Sequence, residues 1–331
     1  MNSNKEIFKN PNTPLLIKTF MDEAVTDSEI NLFFNTLHRY ETTKLISKSF
    51  KLDVENIGTM WGIFYFNNKY GYEDQYIKIS TFGNHTNRIY AKSQQLLHYL
   101  HEATHEKQRD FYIYHNENGI LETTEYNKLL NLENFCTSDA KKSKATYEQL
   151  LVEIDAISNS ITQYKYLLDN NIVPVRPETM IVLLYACVRY IASINCEKHL
   201  AYYPKNFTLK SDKLIEYYKN FYSEQFANNN LEHFIEYSDI DYAKKRQELK
   251  NIDFDKVALE INKKTVAVCD IFQDVYAKFM KQYKFSPNVL NKLEVNNADE
   301  VLTKHNKITV AATIFMDLHK EYQKTLKERV L

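Results

Sequence analysis

Two histidines one helical turn apart enclose a glutamate in the run His101-Glu102-Ala103-Thr104-His105. On a helix both imidazoles project from one face and can share a single Zn²⁺ ion. The adjacent carboxylate of Glu102 is then placed to take a proton from a metal-bound water. That is the chemistry of metal-assisted hydrolysis. His98 and His115 are close by, and His85 is not far. Such clustering fits outer hydrogen-bonding partners of a metal site, and it fits equally a polar helix face whose histidines are solvated or structurally satisfied.

The motif resembles the HExxH zinc metallopeptidases, the zincins, over about eight residues that include the lead-in Tyr99-Leu100. The resemblance implies zinc held by His101 and His105, with Glu102 as general base, on a helix that follows a small sheet. It also implies a third ligand. In gluzincin-like enzymes this is a glutamate on a later helix, twenty or so residues beyond the second histidine, and the available residues are Glu125 and Glu122. Glu106 stands where the family has an uncharged residue, which predicts that this part of the helix is solvated.

A second resemblance lies just upstream. Gly62-Ile63-Phe64 and, after eleven intervening residues, Tyr76-Ile77-Lys78, with Arg88 on a following helix, resemble the layout of the GIY-YIG nucleases. It implies the order strand, strand, helix, strand. Phe64 replaces the first tyrosine and Lys78 the second glycine, so the match is to a degenerate member. Arg109 to His115 resembles the Arg-x-His spacing of helical ribonuclease toxins, on residues that read as a strand, which argues against a site there.

The elements that must position these residues follow from glycine, aromatic and apolar patterning. All five glycines (Gly58, Gly62, Gly71, Gly83 and Gly119) fall between residues 58 and 119. Glycine is the default where backbone needs positive φ or close approach, so tight turns are confined to this window. Phosphate-binding loops, dinucleotide fingerprints and GxSxG elbows all need closely spaced glycines and are absent. Met60 to Phe66 and Gln75 to Phe82 read as strands, and a helix is predicted over about Ala91 to Gln108. Phe111 to Leu121 reads as a hairpin turning at Asn116-Glu-Asn-Gly119.

Outside that window the period is helical. Residues 1–14 read as a loose arm, with Pro11 and Pro14 blocking an early helix. Thr26-Asp-Ser-Glu29 has the form of a capping box before Ile30, Phe33, Phe34 and Leu37. Tyr147, Leu150, Ile154, Ile157, Ile161, Tyr164 and Leu168 alternate three and four apart, a seam suited to bundle packing. Pro177 is placed to open a helix of about Glu178 to Ile194 that is apolar nearly all round. Further helices are predicted at about 211–226, 255–283 and 299–330, the second with Val268, Phe272, Val275 and Phe279 on one face.

The predicted fold class is therefore α+β, predominantly α. Residues 1–57 form an arm and helix, 58–124 a small antiparallel sheet with one intervening helix, and 125–331 a long-helix bundle. Composition narrows the function. The 331 residues are 44% hydrophobic and 26% charged, with a net charge of -1, so no global field favours nucleic acid or anionic membrane. The 25 tyrosines and 19 phenylalanines accompany abundant Asn, Lys and Ile and scarce Gly and Pro, the signature of an AT-rich gene such as those of phages and mobile elements. Four dispersed cysteines without a CxxC pair indicate free thiols. The N-terminus lacks a signal peptide's apolar core, and the longest apolar run, Met180 to Val188, is half a membrane span. These features predict a cytoplasmic or particle-assembled protein without membrane contact.

Long seams and sparse catalytic signatures favour a non-catalytic structural or interaction protein, an assembly subunit or scaffold. It would bind a protein partner or itself through the seams, if these are not buried within the chain, and would need no cofactor. The alternative is a zinc-dependent hydrolase with His101 and His105 as ligands, Glu102 as base and Glu125 or Glu122 completing the shell.

Overall fold

A computed structural model describes residues 8, 10–23, 25–42, 50–56, 62–65, 75–81, 88–118, 124–133, 151–194, 247 and 250–282. In chain order these form α1 (Thr13–Asp22), α2 (Asp27–Thr42), β1 (Phe50–Glu55), β2 (Gly62–Tyr65), β3 (Gln75–Ser80), α3 (Arg88–Asn118), α4 (Glu125–Glu133), α5 (Leu151–Asp169), α6 (Pro177–Ile194) and α7 (Phe254–Gln282). The class is α+β and mainly α. The chain divides into two compact units, Met1–Asn118 with Asn159–Leu183, and Gly119–Ser158 with Leu184–Leu331.

In the first unit the sheet is mixed, in the order β1-β3-β2. β2 pairs antiparallel to β3, with Gly62 opposite Ile79, and β1 pairs parallel to β3, with Leu52 opposite Ile77. The expected antiparallel arrangement holds for β2 and β3 only. β1 was not anticipated, although Leu52 and Val54 alternate with Lys51, Asp53 and Glu55 at strand period. Leu52, Ile77 and Ile79 are buried.

The N-terminal expectation is corrected too. Pro14 does not block a helix; it lies in the first turn of α1, where a missing N–H costs nothing. Lys92 of α3 closes the other end of α1, its buried ammonium donating to the carbonyl of Phe20 at 2.6 Å and to that of Glu23. The capping box of α2 forms as patterned. The Thr26 N–H donates to Glu29 Oε2 at 2.6 Å, and the Glu29 N–H meets Thr26 Oγ1 at 3.4 Å. The bond from the Thr26 N–H, with a second from Thr26 Oγ1 at 2.7 Å, holds the Glu29 carboxyl below the usual carboxylate range. Ile30, Phe33, Phe34 and Leu37 are all buried, and the Phe20 and Phe33 rings stack at 3.9 Å. Phe34 meets Phe33 edge-on at 4.7 Å and Tyr99 of α3 at 5.6 Å.

The expected hairpin over 111–121 is replaced, at least as far as Asn118, by the continuation of α3. Aromatic strand propensity is weak against an established helix, which extends at one hydrogen bond per added residue. The next residue is Gly119, of the type that most readily ends a helix. Among the described residues, the last strand position of the nuclease-like order, expected over 111–115, is therefore occupied by helix.

In the second unit α7 spans the predicted range almost to the residue, and Val268, Phe272, Val275 and Phe279 are buried. Asp253 caps it, accepting from the N–H groups of Asp255 at 3.1 Å and Lys256 at 3.3 Å. Asp155 of α5, buried, takes hydrogen bonds from Lys264 Nζ at 2.9 Å and Tyr126 Oη at 3.2 Å.

Of the α5 seam, Ile154, Ile157, Ile161, Tyr164 and Leu168 are buried within the chain; Tyr147 and Leu150 lie outside the described residues. α5 ends without glycine. Asn171 takes positive φ of 54°, while the Ile172 N–H reaches Leu167 O at 2.9 Å and the Asn171 N–H reaches Leu168 O at 3.1 Å, the paired bonds of a Schellman stop. α6 opens at Pro177 as predicted, and Met180 to Leu184 are buried. The helices expected at 211–226 and 299–330 lie outside the described residues. Cys187 and Cys269 are buried free thiols. No helix among the described residues is long and apolar enough to cross a membrane.

Candidate metal site on helix α3

The motif lies in the middle of the 31-residue α3, with β2 against one side of it. A methyl group at Gly62 would come within 3.1 Å of Glu102 Cγ, 3.2 Å of His98 Cβ and 3.4 Å of Glu102 Oε1. The absent side chain at Gly62 thus gives the strand room to approach this turn of the helix. Gln95, one turn earlier, donates to the Ser80 carbonyl of β3 at 2.6 Å, so α3 is fastened to the sheet next to the histidines.

His101 and His105 are half-buried and Glu102 is buried. The two rings stand perpendicular with centroids 4.7 Å apart. Their Nε2 atoms approach to 3.1 Å. Two nitrogens on a tetrahedral zinc at its usual bond lengths stand about 3.3 Å apart, so the bite suits one ion. With one oxygen of Glu102 the three ligand atoms all lie within 4.8 Å of one another. Were an ion held by the two histidines, Glu102 would be near enough to ligate it or to act on water beside it.

Outer contacts orient the rings. His105 Nδ1 is 2.9 Å from Gln108 Oε1, and His98 Nδ1 is 2.8 Å from the Gln94 carbonyl. His98 does not join the converging group among the described residues. His115 is ten residues further along α3, and His85 lies outside the described residues.

Glu106 overturns the expectation of a solvated helix: its side chain is 1% exposed and faces α2, with Oε1 3.7 Å from His38 Nε2. A charged residue after the second histidine here marks a buried polar cluster. Burial, with the positive charge of Lys107 adding to it, pushes His38 down to about 3. Beside His38 on α2, Glu41 accepts from Thr13 Oγ1 at 2.7 Å. Tyr99, fully enclosed, is pushed well above its usual range by burial and by the carboxylates of Glu106 and Glu41.

Two glutamates were expected as third ligands, Glu125 and Glu122. Glu125 belongs to α4 in the second unit, where its carboxylate accepts from Lys128 at 2.6 Å and from the Asp253 N–H at 3.0 Å. Those hydrogen bonds hold it below the usual carboxylate range despite partial burial. Glu122 lies outside the described residues. Gln108 went unnoticed as a site residue in the sequence, and Gly62 was read as part of the nuclease-like triplet, not as a neighbour of the histidines. Gln108 carries a readable signal, a polar residue three positions after His105. Nothing in the sequence around Gly62 points to Glu102 or His98. No protein-family model, curated protein or solved structure matches this chain.

Proposed function

We propose that the chain is a zinc-binding protein whose site is His101, Glu102 and His105, and that its activity is hydrolysis by a metal-activated water. The carrying observation is the approach of the two Nε2 atoms to 3.1 Å on one helix turn, a separation suited to one tetrahedral ion. Glu102, in the same group, is the base in this reading; the remaining positions on the metal fall to water, substrate or a further ligand. A scaffold role draws less support, because five of its seven seam residues are buried within the chain.

Elemental analysis of protein purified without chelator tests the reading, with about one zinc per chain expected. Absence of zinc, or zinc retained in the His101→Ala/His105→Ala double variant, refutes it. Glu102→Gln should keep the metal and lose cleavage of an unstructured protein substrate by at least about 100-fold.

A second reading is favoured by the helical course of residues 109–118. It removes the objection to the ribonuclease-like spacing of Arg109 and His115, which read as a strand in the sequence. Metal-independent RNA cleavage follows from that spacing. Cleavage that survives chelation and disappears in both Arg109→Ala and His115→Ala would support it; no cleavage of any RNA by the wild-type chain would end it.

A further inference from the structure

The two imidazoles of the site are not equivalent, and we propose that Gln108 makes them so by fixing the tautomer of His105. The inference rests on the metal-site reading for its function, but its chemistry can be read without metal. A carboxamide oxygen only accepts hydrogen bonds, so Gln108 Oε1, 2.9 Å from His105 Nδ1, requires the proton on Nδ1. Neutral imidazole has one N–H, which leaves the His105 Nε2 lone pair bare. That lone pair faces His101 Nε2 at 3.1 Å. The contact is a hydrogen bond only if His101 carries its own proton on Nε2.

The metal-free site is therefore one directed chain, in which His101 Nε2–H donates to His105 Nε2 and His105 Nδ1–H donates to Gln108. His105 is ready to ligate. His101 is not, because its lone pair on Nε2 appears only when the proton moves to Nδ1. Binding a metal then costs one tautomer exchange at His101, with the proton staying on the ring, and none at His105. Gln108 is a positioning residue. It is buried, with its amide oxygen held three residues along the same helix from His105, so its influence does not depend on any loop. Outer partners that fix a ligand's tautomer in this way are worth about 10–100-fold in metal affinity.

Long-range ¹H–¹⁵N correlation spectra of the metal-free protein report the two tautomers directly. The expected result is Nδ1–H at His105 and Nε2–H at His101 in the wild type, with His101 alone switching when zinc is added. Gln108→Leu, close in volume but without an acceptor, should release His105 into a mixture of tautomers and weaken zinc by about 10–100-fold in calorimetric titration. Gln108→Glu restores the acceptor and should return both the Nδ1–H signature and most of the affinity, while circular dichroism stays that of the wild type.

Nε2–H at His105 in the wild type, or a tautomer unchanged in Gln108→Leu, overturns the inference. So does an unchanged affinity in Gln108→Leu where the wild type binds zinc. A wild type that shows the expected tautomers and binds no zinc leaves Gln108's hold on His105 in place and overturns the metal site itself.

Discussion

Gly62→Ala is the most direct test of how the sheet bears on the motif. The added methyl would stand 3.2 Å from His98 Cβ and 3.1 Å from Glu102 Cγ, against ordinary contacts of about 3.6–4.0 Å. Glu102 Cγ can yield by a change of rotamer. His98 Cβ cannot, because it is bonded to the backbone of α3, which Gln95 ties to β3. Relief of a few tenths of an ångström must come from moving β2 off the helix. Overpacking of this kind costs about 1–3 kcal/mol. Alanine's smaller unfolded-state entropy returns about 0.4–1 kcal/mol. From the midpoints of these ranges the net expectation is a loss of about 1.3 kcal/mol.

Urea denaturation should show a lower midpoint with an unchanged slope. The Glu102→Ala background should recover part of the loss, since it removes Cγ but leaves His98 Cβ in place. A Gly62→Ala protein as stable as the wild type would refute the reasoning, because the strand would then not be pressed against α3 at this turn.

Other perturbations bear on the framework. Phe34→Ala, which empties a fully enclosed position between Phe20, Phe33 and Tyr99, should cost about 3–5 kcal/mol in the same assay; a loss under about 1 kcal/mol would mean that α1, α2 and α3 do not share this core. Asn171→Ala should cost about 1 kcal/mol and Asn171→Gly almost nothing, since only alanine is penalised at a φ of 54°; equal stabilities would contradict the left-handed stop. His38, held down to about 3 by burial, stays neutral in the fold where the unfolded chain takes up a proton. Its contribution is complete above about pH 6.5 and falls by about 1.4 kcal/mol per pH unit below that, as far as about pH 3. His38→Gln should flatten the acid limb of stability against pH, and an unchanged slope would place the acid sensitivity elsewhere.

Helices with long, one-sided apolar patterns were readable from the sequence. α7 and its buried Val268, Phe272, Val275 and Phe279 followed from the 3.5-residue period, α6 from Pro177, and the start of α2 from its capping box. Misreadings came where two signals competed over a few residues. Phe111 to His115 is aromatic enough for a strand, yet it continues a helix whose stability is set upstream. Pro14 is a helix breaker in the interior and harmless in a first turn, and the sequence does not say which position it occupies. In β1 three of six residues are charged, which masked the alternation of Leu52 with Val54. At the site, the spacing of His101, Glu102 and His105 was visible because one helix carries all three. Glu106 was misjudged because its burial is produced by α2, a segment distant in sequence that no local pattern links to it.

The division of the chain has a consequence for how it is made. The first unit needs residues 159–183 as well as the first 118, so the ribosome must add about 65 residues beyond Asn118 before that unit can close. At about 5–20 residues per second this is a delay of roughly 3–13 s. During that interval the sheet and the histidine-bearing helix are already synthesised, while the segments of α5 and α6 that complete their unit are not. A released fragment ending near residue 130 should therefore be protease-sensitive within α3, and one extended past α6 should be resistant there.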